Sequence, residues 1–402
     1  MKRMELLNRL SVDNGKKMIL LVMDGLGGLP GPEGKTELEA ASTPNLDRLA
    51  EKSELGLLDM VDVGITPGSG PGHLSLFGYD PLEFSIGRGI LEAMGVGARV
   101  GPGDVCARGN FCTRTGDGVI TDRRAGRIAT EKSALLVEKL AGAVKEADGA
   151  KITLYPGKEH RFVVVFSGPG LADSVADADP QHDGVPMRYA SPLAPGGEKM
   201  AETANSFIRK VSEVLKDESP ANGCLLRGFS SAPHIPLMGD LYHIKPVAVA
   251  TYPMYKGLAK LVGMSVADAG ETPAQLFDTV VRLWGEFDFF YVHIKYTDSR
   301  GEDGDFEGKR KVVDQVDALL PKLLALSPDV LAITGDHSTP SLMASHSWHP
   351  SPFLVFSPYA RSGSSKAFSE SECRLGAGGR IPGRSLLGLM LAHAGRLEKY
   401  GA

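Results

Sequence analysis

The stretch "MILLVMDG", residues 18–25, decides the fold. Six apolar residues in a row leave no polar face, and an acid and a glycine follow at once. A sheet with one wet face would alternate, so a run apolar on both faces predicts a strand buried inside a parallel sheet. The pattern recurs in "VAVAT" (247–251), "FFYVHI" (289–294), "VLAIT" (330–334) and "FLVF" (353–356). Helical patterns lie between these runs. "TPNLDRLAEKSEL" (43–55) opens on an N-cap threonine and a first-turn proline. "FEGKRKVVDQVDALLPKLLAL" (306–326) repeats apolar residues at three- and four-residue steps. Strands alternating with helices predict a doubly wound α/β domain.

The middle of the chain breaks the alternation. Between about 100 and 235 come antiparallel-looking segments, "DVCARGNFCTRT", "GVITD", "KITLYP" and "HRFVVVFSG", with helix candidates at 131–147 and 197–216. Gly-rich "GVGARVGPGD" and Pro-rich "SSAPHIPLMGD" frame the block. The expectation is an α/β domain of residues 1–95 and 236–402, interrupted by an α+β substrate-binding domain at 96–235.

Composition narrows the class. The 402 residues are 42% hydrophobic and 23% charged, an ordinary globular balance. A net charge of −5 gives no electrostatic reason to expect nucleic acid or an anionic membrane as partner. The four cysteines are scattered without C-x-x-C spacing, which favours reduced thiols. With no signal-peptide pattern and no long apolar run, a cytoplasmic location is expected. Oligomeric state is left open.

Three predicted strands end on chemistry. "ILLVMDG" delivers Asp24, "FFYVHIKYTDSRGED" runs into Asp298, and "VLAITGDHS" ends on Asp336 and His337; His346 follows nine residues later. In an open α/β sheet, ligands bind at the carboxyl ends of the strands. One such Asp is usually a helix cap, but three acids with two histidines offer carboxylate and imidazole ligands for divalent ions. In "TPGSGPGHLSLFGYDP", Ser69 stands between two glycines ahead of a helix-like run. A turn is the plain reading. Beside metal ions, though, its hydroxyl becomes a nucleophile toward a phosphoryl or sulfuryl group. In the insert, Arg108, Asn110, Asp122, Arg123, Arg124 and Arg127, with Arg161, form a cluster suited to a carboxylate or phosphate.

Together these segments resemble the archaeal-type cofactor-independent phosphoglycerate mutases of the alkaline phosphatase superfamily. "MDGLGGLP", "KTELEAASTPNLDRLA", "GRGILEAMGVG", "ARGNFCTRTGDGVITDRRAGRI", "DADP", "YKGLAKLVGM" and "ITGDHSTPS" carry the likeness by their order and spacing. The resemblance implies an alkaline-phosphatase-like sheet, mixed and flanked by helices, with a substrate domain inserted after the nucleophile. It implies that Ser69 is phosphorylated, and that Asp24, Ser69, Asp336 and His337 hold one metal while Asp298 and His346 serve a second. Lys256 resembles a lysine near the phosphoryl group, with a surface lysine as the alternative; Arg108 and Asp122 join Ser69 as catalytic candidates. His73 contacts substrate or caps the helix behind Ser69.

The family's second site usually has a His four residues after the Asp. Here Glu302 stands there, with Asp303 and Asp305 as rivals in the same loop. Glu suits Mn²⁺ or Mg²⁺ better than Zn²⁺. The activity implied is interconversion of 3-phosphoglycerate and 2-phosphoglycerate through a phosphoserine. The alternatives are a phosphatase or sulfatase, a homoserine-kinase-like phosphotransferase, and an inert metal-binding module. No GxxxxGK[ST] loop supports a kinase, and the arginine cluster suits an enzyme that must retain its dephosphorylated intermediate.

Overall fold

A computed structural model describes residues 3–31 and 33–401. The chain divides into two compact units, one of residues 1–85 and 235–402 and the other of residues 86–234.

The first unit is built on an eight-stranded sheet. Its order is Ser265–Val266, Pro246–Val249, Phe289–Ile294, Met18–Met23, Val330–Thr334, Ser351–Phe356, Ser53–Asp59 and Gly379–Pro382. Met18–Met23 lies parallel between Phe289–Ile294 and Val330–Thr334, and all six of its residues are buried. Its Ile19, Leu21 and Met23 pack in one core with Phe277 and Val280 of helix Pro273–Leu283 and with Val313, Val316 and Leu320 of helix Phe306–Leu324. Both faces are dry, which is why the strand shows no alternation. The α/β class is as the sequence predicts.

Two sequence expectations differ in detail. "FLVF" does not extend the parallel array: Ser351–Phe356 runs antiparallel to both of its neighbours. Residues 335–350 contain no helix to carry a parallel crossover, so the chain turns back beside the strand it has just left. The helix expected over 43–55 ends at Ala50, and Ser53–Asp59 is a strand.

The second unit centres on strand Val105–Arg114, paired antiparallel with Arg161–Ser167 and Gly223–Ser231. Val105, Ala107 and Phe111 face helices Thr130–Ala143 and Glu198–Val214, in a core with Leu136, Leu140, Phe207 and Val211. Cys106, Arg108, Asn110 and Cys112 alternate onto the other face. Helix Arg88–Gly95 covers part of that face, packing Ile90 and Ala93 against Cys106, Val163 and Val165. For that reason the unit begins at Ile86, ten residues before the expected boundary at 96. All four cysteines are free and buried. Among the described residues, no helix is long and apolar enough to cross a membrane.

Candidate active site

The carboxyl ends of three neighbouring strands bring Asp24, Asp298, Asp336 and His337 together, all fully buried. His337 Nε2 is the hub. It lies 3.2 Å from Asp24 Oδ1, 3.3 Å from Asp336 Oδ2 and 4.0 Å from Asp298 Oδ1. His346 stacks on His337 with ring centroids 3.7 Å apart, its Nε2 3.5 Å from Asp298 Oδ1. Two groups have ligand atoms close enough for one ion each: Asp24, Asp336 and His337, and Asp298, His337 and His346. Asp24 Oδ1 and Asp336 Oδ2 are buried yet accept no hydrogen bond. Orphaned carboxylate oxygens facing an imidazole nitrogen are a donor set that fits a divalent cation.

Electrostatics agree. Burial pushes the Asp24 carboxyl up, but the close approach of the His293 and His337 rings and the Lys295 charge outweigh it and hold it well below the carboxylate range. Burial and Asp24 raise Asp336, and the His337 and His73 rings more than offset them. His337 loses by burial and gains more from Asp336 and Asp24, which carries it up to about 9. The pocket demands positive charge, whether a proton or an ion.

Ser69 opens the helix Ser69–Leu76, its Oγ 3.4 Å from His337 Nε2. That helix lies tight on the ligand loop: a Cβ at Gly72 would come 2.3 Å from the Asp336 carbonyl oxygen. The other close approach is Gly25, at φ +64°, where a Cβ would strike Thr339 Oγ1 at 2.5 Å. Glu302 ends the helix Tyr296–Glu302, one turn beyond Asp298, and its Oε1 lies 3.7 Å from His346 Nε2. Its side chain is 54% exposed. Of its rivals, Asp305 is occupied capping the next helix through the Gly308 N–H at 2.8 Å.

The structure gives the remaining sequence candidates their surroundings. His73 is fully buried, with Nδ1 2.8 Å from the Ser69 carbonyl oxygen and 3.1 Å from Asp336 Oδ2. It braces the helix behind Ser69, the second of its two expected roles, and has no exposed surface. Lys256 is half-buried on helix Pro253–Leu261 and pairs with no described residue. The lysine inside the cluster is Lys295, 3.1 Å from Asp24 Oδ2 and 2.5 Å from Asp298 Oδ2. Tyr255 and His293 also reach Asp24 Oδ2, at 2.5 and 3.2 Å. Thr339 Oγ1 donates to Asp298 at 2.7 Å. Lys295 was in plain view, three residues before Asp298; Thr339 and His293 carry no signal of their own.

The second unit holds a separate cavity of about 120 Å³, lined by Arg108, Asn110, Arg123, Arg124, Arg127 and Arg161, with His160 and Arg227. Arg227 escaped the sequence reading because register, not spacing, sets it opposite Arg108. Arg161 faces Asn110 in the same way. Not every arginine is free. Arg123 forks onto buried Asp179 with two 2.8 Å bonds, and Arg108 meets Glu92 at 3.1 Å. The Asp122 carboxylate accepts from the Arg124 and Gly126 N–H groups and ties the turn.

A family model described as 2,3-bisphosphoglycerate-independent phosphoglycerate mutase matches residues 50–222. A relative from Thermosipho africanus, named a probable 2,3-bisphosphoglycerate-independent phosphoglycerate mutase, is 56% identical over 100% of this chain and 99% of its own. One of the same name from Aquifex aeolicus is 52% identical over 99% and 100%. Among solved structures, the cofactor-independent phosphoglycerate mutase of Thermoplasma acidophilum matches with TM-score 0.75 and 30% identity, covering 94% of this chain and 100% of its own. A Pyrococcus horikoshii protein matches with TM-score 0.80 and 31% identity over 96% and 99%. Likeness along the whole length defines the class, an α/β isomerase acting on a small phosphorylated substrate. The chain belongs to the 2,3-bisphosphoglycerate-independent phosphoglycerate mutase family.

Proposed function

We propose that the chain interconverts 3-phosphoglycerate and 2-phosphoglycerate through a phosphoryl group carried on Ser69. The observation that carries this reading is the approach of Ser69 Oγ to His337 Nε2, 3.4 Å, within the cluster of Asp24, Asp336 and His337. Asp24, Ser69, Asp336 and His337 would hold one divalent ion, and Asp298, Glu302 and His346 a second, Mn²⁺ or Mg²⁺ by the hardness of the carboxylates. Bound there, the ions would lower the pKa of the serine hydroxyl and offset charge on the phosphoryl oxygens.

Ser69 Oγ gives up its proton and forms the new bond to phosphorus as the bond to the glycerate oxygen breaks, and that departing alkoxide oxygen takes a proton to become a hydroxyl. The other glycerate hydroxyl then reclaims the phosphoryl group and frees Ser69. The N-terminus of helix Ser69–Leu76 presents unpaired N–H groups and a positive dipole end to the phosphoryl oxygens. Lys295 fixes the outer oxygens of Asp24 and Asp298, which leaves their inner oxygens toward the histidines. Glycerate must be held between the two transfers, and unpaired guanidinium groups such as Arg124 and Arg161 have the chemistry to grip its carboxylate. A hydrolase of the same build would have no use for that grip.

Acid quenching during turnover, with peptide mass spectrometry, tests the reading. Phosphate on Ser69 with 2-phosphoglycerate as product is the expected result. An unmodified Ser69, or free phosphate as the main product, would overturn it.

A further inference from the structure

Lys309 is fully buried on helix Phe306–Leu324, and its ammonium bonds to none of the candidate ligand side chains. Its ammonium donates three hydrogen bonds, all to main-chain carbonyls: Gly25 at 2.9 Å, Gly27 at 3.0 Å and Thr339 at 2.8 Å. An ammonium has three donors and no acceptor, so the cradle uses it completely. Carbonyl oxygens converging on one buried positive charge reproduce a monovalent-cation site, with the cation covalently attached to the chain.

The carbonyls come from two loops. Residues 24–27 begin with Asp24, and residues 336–339 begin with Asp336 and His337. The Thr339 N–H already links the loops, lying 3.1 Å from the carbonyl oxygens of both Gly25 and Gly27. The Thr339 hydroxyl meets His337 Nδ1 at 2.9 Å and Asp298 Oδ1 at 2.7 Å. Without the ammonium, three carbonyl oxygens would crowd together in a dry space, repel one another and lose their donors.

We propose that Lys309 is a positioning residue of the phosphoryl-transfer site. It is a built-in cation that locks the two ligand loops in register so that Asp24, Asp336 and His337 converge on one ion. The inference rests on the metal reading above, and the test separates the two.

Mn²⁺ alone is the probe, titrated into the full chain and followed by the loss of its free electron-paramagnetic signal, with melting temperature measured alongside. Lys309→Met and Lys309→Ala should bind Mn²⁺ weaker by about tenfold or more, the usual effect of removing an outer-shell support. Ammonium chloride should restore binding to Lys309→Ala, whose cradle is open. It should not restore Lys309→Met, whose side chain fills the space, and tetramethylammonium should restore neither. If Lys309→Ala does not fold, refolding with and without ammonium decides in the same way.

Wild-type Mn²⁺ affinity in either variant would overturn the role of Lys309. So would a loss in Lys309→Ala that ammonium leaves untouched, which would mean that Lys309 only fills space. A wild-type chain that takes up no Mn²⁺ would overturn the metal reading first, and this inference with it.

Discussion

His346 donates its Nδ1 proton to the carbonyl oxygen of Pro67, 3.0 Å away and two residues ahead of Ser69. A carbonyl only accepts, so the bond fixes the tautomer and leaves the Nε2 lone pair toward Asp298 and Glu302. The loop ahead of Ser69 and the group of Asp298, His337 and His346 are therefore one mechanical unit. His346→Asn can keep the bond to Pro67 and lose the ligand atom. It should melt like the wild type while retaining about one metal per chain instead of two, read by elemental mass spectrometry.

Ser69→Ala should abolish transfer and leave the fold unchanged. The hydroxyl reaches two side chains, His337 at 3.4 Å and the Tyr255 hydroxyl, each held by other bonds, and the helix behind it is held by His73. Loss of a nucleophile costs about 10⁴-fold or more in turnover. The check is mutase rate beside a thermal melt; turnover near wild type would remove Ser69 as the phosphoryl carrier.

Much of this was legible because the apolar runs and the strand-end acids are local. "MILLVMDG" announces both a buried strand and the carboxylate that the structure places beside Asp336 and His337. What the sequence hides is set by pairing across the sheets. Arg227 joins the arginine cavity through antiparallel register with Arg108, over a hundred residues earlier. Local composition also does not show which groups are already spoken for. Asp122 sits among arginines yet spends its carboxylate on two N–H groups of its own turn. His73 has the right spacing from Ser69 for a substrate contact, but on a helix four residues is one turn, and that turn faces inward.

Glu302 should set the metal preference. As a ligand it would put an anion where a neutral imidazole is expected, so Mn²⁺ or Mg²⁺ should support more activity than Zn²⁺, and Glu302→His should shift the order toward Zn²⁺. Its side chain is half in solvent, which predicts that Glu302→Ala folds normally. That variant should lose second-site occupancy and most transfer. Two metals and full activity in Glu302→Ala would make the residue a loop acid and nothing more.

His160 predicts a pH dependence of stability. Burial, then the neighbouring Arg161, Arg124 and Arg127 charges, lower its imidazole from 6.5 to about 4. The unfolded chain therefore takes a proton below 6.5 that the folded chain refuses until about 4. Stability should fall as pH drops through that window. His160→Gln should flatten this part of the curve, measured as melting temperature from pH 7 to 4. An identical slope in both proteins would refute the assignment.

The arginine cavity should divide into residues that hold the domain and residues that hold substrate. Arg123 is committed to Asp179, a fully buried carboxylate. Arg123→Ala removes both bonds and leaves Asp179 only the Arg227 guanidinium, 3.4 Å away, and the Gln181 N–H, so it should destabilise the chain by up to about 3 kcal/mol whatever it does to activity. Arg124 and Arg161 line the same cavity with guanidinium groups that pair with no described residue. Truncating either should leave the melt unchanged and weaken substrate, on the order of a hundredfold for a lost charge-assisted contact. The consequence for chemistry is specific. With glycerate loosely held, it escapes before reclaiming the phosphoryl group, and water takes its place at phospho-Ser69. Arg124→Ala or Arg161→Ala should then trade mutase flux for phosphate release, followed together by phosphorus NMR from 3-phosphoglycerate. A parallel loss of both products in both variants would mean that the cavity shapes the protein and does not retain the intermediate.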